Sequence, residues 1–321
     1  QKRTLAQWLA AANTHCLHEG RTAEAGSHLT ALVQLVAWHD EDFTLINQMI
    51  RTAVGSLALA STWGTMQSPG VTEAQLAGWQ AQWQTLSIMP ALARAMEFER
   101  AEVDQYFIRV RSGEESLSAA TFGAIAGTGS TGLARVGEQA TGMVWRMLAA
   151  EGDELFYLRI MQEHIDMLRL LARDHSWAAA QPRFTATMAE LAILETWRGK
   201  LQPVSSVALP NLTRAFRTAL LYEGRREMTI AALALERFRR QHGRHPQALK
   251  ELVPAFVPAV PVDWMDGQPL RYRLNADGTY TLWSIGEDLK DDGGDGTELP
   301  TTPSRVDFWE RRDVVWPRAV K

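Results

Sequence analysis

The chain has 321 residues, 46% of them hydrophobic, enough for a sizeable core and one large or two modest domains. A net charge of −4, mixed along the chain, argues against a nucleic-acid partner, which leaves a basic footprint. A single cysteine excludes an intrachain disulfide, and no segment approaches the ~18 consecutive apolar residues of a membrane span.

Cys16 lies among apolar residues at helical spacing and reads as a small buried hydrophobe. The 12 tryptophans are scattered, which suits core and helix-interface packing. The chain opens QKRTLAQW without an initiator Met. It reads as a form lacking its natural start, from which a signal peptide or anchor could have been removed. Membrane contact is then expected only through a segment absent from this chain.

In chain order, residues 1–112 read as helical hairpins. Leu5, Trp8, Leu9 and Ala12 stripe a helix over Thr4–His18, with Gly20 as its stop. Leu29, Leu32, Val33 and Val36 stripe a second, Thr22–Trp38. Asp42 is placed to cap a third, with Leu45, Ile46, Met49, Ile50 and Val54 on one face. Thr72 and Gln75 form a capping-box pattern ahead of Leu76, Trp79, Trp83 and Leu86. Pro90 suits the first turn of a fifth helix running to Arg111. Short links and many alanines suggest an α-hairpin array similar to tetratricopeptide-type repeats, or an irregular bundle.

The run 112–132, with GAIAGTGSTG, reads as a loop. Further helices are expected over Leu133–Ala149, Asp153–Arg173 and Pro182–Lys200, then a proline-bearing link, Leu201–Asn211. A long helix over Asn211–Gln241 follows, ended by Gly243 and Pro246. Leu270–Leu274 and Thr279–Ile285 alternate as strands, joined by the turn Asn275–Gly278. The expected fold is mainly α: a helical-hairpin domain over 1–210, then 211–321 as the long helix, a small α+β module and a C-terminal tail.

Four carboxylates, Asp288, Asp291, Asp292 and Asp295, fall within eight residues, interleaved with Gly293, Gly294 and Gly296. Calcium takes six to eight oxygens in a flexible cage, which such a loop can supply, although the spacing is not that of an EF-hand. The alternative is a solvated acidic loop. The histidines are weaker candidates. His15 and His18 lie one turn apart, His39 precedes Asp40-Glu41-Asp42, and Glu163, His164 and Asp166 form an ordinary helix-face cluster. Zinc needs three or four converging ligands, and no H-E-x-x-H occurs. His242 and His245 flank the turn after the long helix, where a capping role fits. GTGSTG at 127–132 lacks the lysine and preceding strand of a phosphate loop, and no G-x-S-x-G elbow occurs. Glu114-Glu115 and the pair Glu97 and Glu99 carry no more weight than helix-surface charges.

Four runs carry a resemblance: ALERFRRQHGRHP (234–246), LKELVP (249–254), PVDWMDGQPLRYR (261–273) and WSIGEDLKDDGGD (283–295). In this order they resemble the periplasmic part of the type II secretion major pseudopilins. The resemblance implies a helix ending at a Gly-x-His-Pro turn, then the step Pro261, Asp263 and Trp264. A small sheet and a calcium-binding loop at Asp288–Asp295 would follow. Leu289 stands where that family has glycine. The whole chain also resembles an uncharacterised group of proteins from Planctomycetes and Verrucomicrobia, on ALVQLVAWHDEDFTLINQMIRTAVGSLALA (31–60) and VTEAQLAGWQAQW (71–83). Members often carry an N-terminal membrane anchor. The expected function is a non-enzymatic scaffold or interaction protein of the bacterial cell envelope, with a protein partner. A hydrolase with a groove site near His39 and Asp40, and a secretion- or pilus-system subunit, are the alternatives.

Overall fold

The computed structural model describes residues 2–38, 43–115, 117, 142–298 and 311–316. The expected Asp42 cap, His39, the glycine-rich run 123–132 and the first part of the helix expected from residue 133 lie outside them. The described chain is mainly helical, with a small three-stranded antiparallel sheet.

Five helices come first: α1 (Lys2–His18), α2 (Thr22–Ala37), α3 (Leu45–Met66), α4 (Glu73–Thr85) and α5 (Met89–Ser112). Their ends follow local chemistry. Thr44 caps α3, its side chain accepting from the Asn47 amide, so the helix starts two residues later than a cap at Asp42 would place it. Thr72 and Gln75 form a reciprocal capping box on α4. Pro90 occupies the first turn of α5, and Gly113 closes it with φ +82°. Residues 142–148 form a short helical segment before α6 (Ala150–Asp174), α7 (Trp177–Leu191) and α8 (Pro203–His242).

Two further boundaries differ from the sequence expectation. α7 begins at Trp177, because Ser176 accepts from the Ala179 amide; Pro182 lies inside the helix, and two 3-10 turns follow at 192–195 and 197–201. The link expected at 201–211 is helical from Pro203 onward. Its cause is distant in sequence. The buried Asp153 carboxylate accepts from the amides of Val204 (3.1 Å) and Ser205 (3.1 Å) and from Ser205 Oγ (2.6 Å), so it caps α8 from another helix.

α8 is the axis of the molecule. It packs against α3, α4, α5 and α6, and the boundary expected at residue 210 falls inside it. The arrangement is an irregular bundle around this helix. Tyr222 of α8 lies directly over Gly55 of α3 and donates to the Leu86 carbonyl at 3.1 Å. Trp79 and Trp83 of α4 are buried, donating to Thr30 and Thr62.

Gly243, at φ +72°, ends α8, its amide bonding the Arg239 carbonyl at 2.8 Å. The chain then passes a 3-10 turn (Leu249–Leu252) to β1 (Arg271–Leu274), β2 (Tyr280–Ser284) and β3 (Val314–Trp316). The expected two-strand hairpin is present, with Gly278 at φ +82° in its turn; β3 adds a third strand on the far side of β2, pairing Leu282 with Trp316. The module sits on the helical body: Gln80 of α4 donates to the Phe256 carbonyl (2.6 Å), and the amides of Trp177 and Ala178 bond the Trp264 and Met265 carbonyls (both 2.8 Å). One apolar core runs from α1 to β3.

Candidate functional site

The acidic loop follows β2 and is folded around a carboxylate that does not belong to it. Asp313, immediately before β3, is fully buried. It accepts from the amides of Asp292 (3.3 Å), Gly294 (2.7 Å) and Asp295 (3.1 Å). Successive amides aimed at one point form an anion cradle, and positive φ at Gly293 (+70°) and Gly294 (+87°) turns them inward. Backbone bonds complete the closure, from Asp313 to the Asp295 carbonyl (3.0 Å) and from Arg312 to that of Thr297 (3.0 Å). Desolvation raises the Asp313 pKa, and the Asp291 charge adds to it, against the three amide bonds.

The four aspartates of the loop are each engaged by partners within the module. Asp288 accepts from the Lys290 amide at 3.1 Å. Asp291 accepts from Trp283 Nε1 (2.9 Å) and the Gly293 amide (3.0 Å), and pairs with Arg271 at 3.6 Å. The Trp283 bond is the leading cause of its lowered pKa. Asp292 and Asp295 pair with Arg312 at 3.6 and 3.8 Å, and Asp295 also accepts from the Thr297 amide. No three acidic, histidine or cysteine side chains converge as a metal-binding group among the described residues. A calcium ion here would have to displace guanidinium contacts to Asp291, Asp292 and Asp295. Leu289 adopts φ +60°, the left-handed conformation for which glycine is favoured, with its side chain packed on the core edge. The backbone turn is therefore kept without the glycine.

Asp263 is a second organising carboxylate. It is buried beneath the sheet and accepts from Ser284 Oγ (2.7 Å), the amides of Met265 and Ile285 (both 3.0 Å), and Arg271 (3.0 Å). Burial raises its pKa, against those four donors. Arg271 also reaches Asp266 and Asp291, so one guanidinium joins the Pro261–Trp264 step, β1 and the acidic loop.

In the helical body, the buried Glu223 of α8 accepts from Ser87 Oγ (2.8 Å), the amides of Ile88 and Met89, and Arg226 (2.6 Å), while Arg226 donates to the Trp83 carbonyl (2.9 Å). This network closes the end of α4 and the start of α5. The singled-out histidines scatter. His15 pairs with Glu19 at 3.3 Å on the surface, and His18 is exposed. His164 is buried, donating through Nδ1 to the Ile160 carbonyl (2.8 Å) with Thr213 at 3.3 Å from Nε2, whereas Glu163 faces outward to Arg183. His242 bonds the Phe238 carbonyl at 3.0 Å within the last turn of α8. Glu97 pairs with Arg169 and Glu115 with Arg109, each at 2.8 Å; burial and Glu102 raise the Glu99 pKa.

Sequence reading missed Asp313, Glu223, Arg226 and Asp153. The Asp313-Val314-Val315-Trp316 run, a carboxylate before β-branched residues, was the available signal for the first; the others look like helix-surface charges until the helices are packed. No family model matches the chain, and no curated protein or solved structure matches it.

Proposed function

We propose that this protein is a non-enzymatic interaction protein of the bacterial cell envelope, whose helical body presents a docking surface braced by the C-terminal module. The observation that carries the reading is the helical segment 142–148. Met143, Val144, Met147 and Leu148 fall on one side of it and are 56–81% exposed, while Trp145 points into the core. Residues at i, i+1, i+4 and i+5 form one apolar face, and flexible Met and Leu side chains adapt to a partner's groove.

The order of elements after α8 supports a pseudopilin-like reading of the module, and through it the envelope location. Glycine-ended helix, proline turn, hairpin and acidic loop succeed one another as that resemblance implies. Within the same reading the acidic loop takes calcium, exchanging guanidinium contacts of Asp291, Asp292 and Asp295 for the ion. Calorimetry on the wild type and Asp288→Ala tests this; no calcium heat in the wild type sinks the ion.

The docking test is affinity capture from envelope extract with the wild type and a Met147→Glu/Leu148→Glu variant of unchanged melting temperature. A partner captured by the wild type and lost by the variant is expected. A partner kept by the variant, or none captured by the wild type, refutes the surface.

A further inference from the structure

One carboxylate pins three elements together on one side of the molecule. The buried Asp153 of α6 accepts from Trp145 Nε1 of the segment 142–148 at 3.2 Å, in addition to the first amides of α8. Helical hydrogen bonding runs from that segment into α6 without a gap. The Ala149 amide bonds the Trp145 carbonyl, and the Asp153 amide bonds the Ala149 carbonyl, both at 2.9 Å. Val144, Leu148, Leu155 and Arg159 therefore fall on one exposed stripe at i, i+4, i+11 and i+15, with Glu151 among them.

The stripe leads to a trough of about 590 Å³. Phe156 and Arg159 of α6 form one wall; Ala189 and Glu190 of α7, with Ala192 and Ile193 beyond it, form the other. Arg159 lies over the Phe156 ring at 5.8 Å and pairs with Glu190 at 2.7 Å, bridging the walls. Leu155, next to Phe156, and Trp197, just past the second wall, are both 68% exposed. Leu201, just ahead of the Asp153-capped start of α8, is 49% exposed. With Met143, Val144, Met147 and Leu148 these side chains leave on the order of 800 Å² of apolar surface on one side of the protein. The largest patch on a typical monomer is about 300–600 Å², and each partner in a standard stable interface contributes about 800 Å².

The trough is open along its length, so a small ligand would stay mostly in water there. The exposed charges on this side are of both signs, Arg146 and Arg159 against Glu151, Glu190 and Glu195, which is not the basic surface that anionic lipid selects. An amphipathic helix is what such a groove covers, and the same side of the protein carries one in residues 142–148. That segment continues directly into α6, which is itself a wall of the trough, so it cannot turn back into its own groove. The segment of a second copy can. Under a two-fold axis each copy inserts its ridge into the other's trough, and one contact buries both features. We infer that this face pairs with a second copy of the chain in an isologous dimer, helix 142–148 of each copy lying in the α6–α7 trough of the other. The inference rests on the docking-surface reading above and names its partner; a tagged chain would recover untagged copies of itself from an extract.

Sedimentation equilibrium of the purified full chain is the test, with twice the 35.8 kDa chain mass expected at micromolar concentration. Met147→Glu/Leu148→Glu charges the ridge, and Ala189→Arg/Ala192→Arg charges the trough at two exposed alanines. Each variant should sediment at the single-chain mass with an unchanged helical circular dichroism spectrum. An equimolar mixture of the two should return to the doubled mass, because one contact is intact and the other gains Glu–Arg pairs. A wild type that sediments as one chain overturns the inference, as does a dimer that survives in either variant or a mixture that stays monomeric. Binding of a monomeric wild type to phosphatidylglycerol vesicles would overturn it in favour of a lipid surface. If the chain is monomeric yet capture from envelope extract still requires Met147 and Leu148, the docking surface stands with a different protein on it. If neither readout depends on them, the surface itself falls.

Discussion

Replacing Asp313 by alanine is the most direct probe of the C-terminal module. The carboxylate accepts three amide bonds, from Asp292, Gly294 and Asp295. Hydrogen bonds to a charged acceptor contribute about 1.5–3 kcal/mol each, so the gross loss is about 5–9 kcal/mol. Two effects offset it. The donors belong to partly exposed residues, so water can reach some of them once the side chain is gone. The repulsion from Asp291, which helps raise the Asp313 pKa, also disappears. A net loss of about 2–4 kcal/mol is expected, with Asp313→Asn losing about half as much because one acceptor oxygen remains. Urea denaturation measures the total, and amide hydrogen exchange at Gly294 and Asp295 localises it. A loss below ~1 kcal/mol with both amides protected as in the wild type would show that Asp313 does not hold the loop.

Gly55→Ala should destabilise by up to about 2 kcal/mol: the new Cβ would lie 2.4 Å from Tyr222 Cε2, and overpacking of about 1–3 kcal/mol opposes a helix-propensity gain of about 1. A raised melting temperature would contradict it. Glu223→Ala leaves Arg226 charged and buried and should cost about 3–5 kcal/mol, most of it recovered in Glu223→Leu/Arg226→Met. A double variant as unstable as the single would place the cost elsewhere. His164 is buried with its pKa lowered, desolvation first, so its stability contribution is complete above the unfolded value near 6.5 and is lost as pH falls. The slope is at most about 1.4 kcal/mol per pH unit, and denaturation at pH 7.5 and 5.5 should show a larger drop for the wild type than for His164→Gln. Equal drops would rule His164 out. Asp153 and Asp263 act in the opposite sense lower down: their pKa values are raised, so their contribution is complete below about 3.8 and declines as pH rises through the folded values.

The helices were legible because their signals are local. Apolar stripes at helical spacing, the Thr72–Gln75 box, Pro90, and the Gly243–Pro246 stop each act within one or two turns. The β1–β2 hairpin was legible for the same reason, its alternation and Gly278 turn lying within fifteen residues. The acidic loop was visible as a cluster of carboxylates, but its organising group was not, because Asp313 lies 18 residues beyond Asp295 in sequence.

What the sequence determined alone was therefore the first five helices, the glycine stop of α8, the hairpin and the acidic composition of one loop, all set by contacts between near neighbours. Tertiary structure alone decided that α8 starts at Pro203, since its cap is Asp153 from another helix. It decided that Gly55 is a contact point for Tyr222, that Glu223 and Arg226 are interior charges, and that β3 completes the sheet. It also built the trough between α6 and α7 from walls distant in sequence, such as Phe156 and Ile193. The physical reason is common to all of these. A buried charge, a groove wall or a missing Cβ acquires its meaning from the group that faces it, and that group comes from a distant part of the chain.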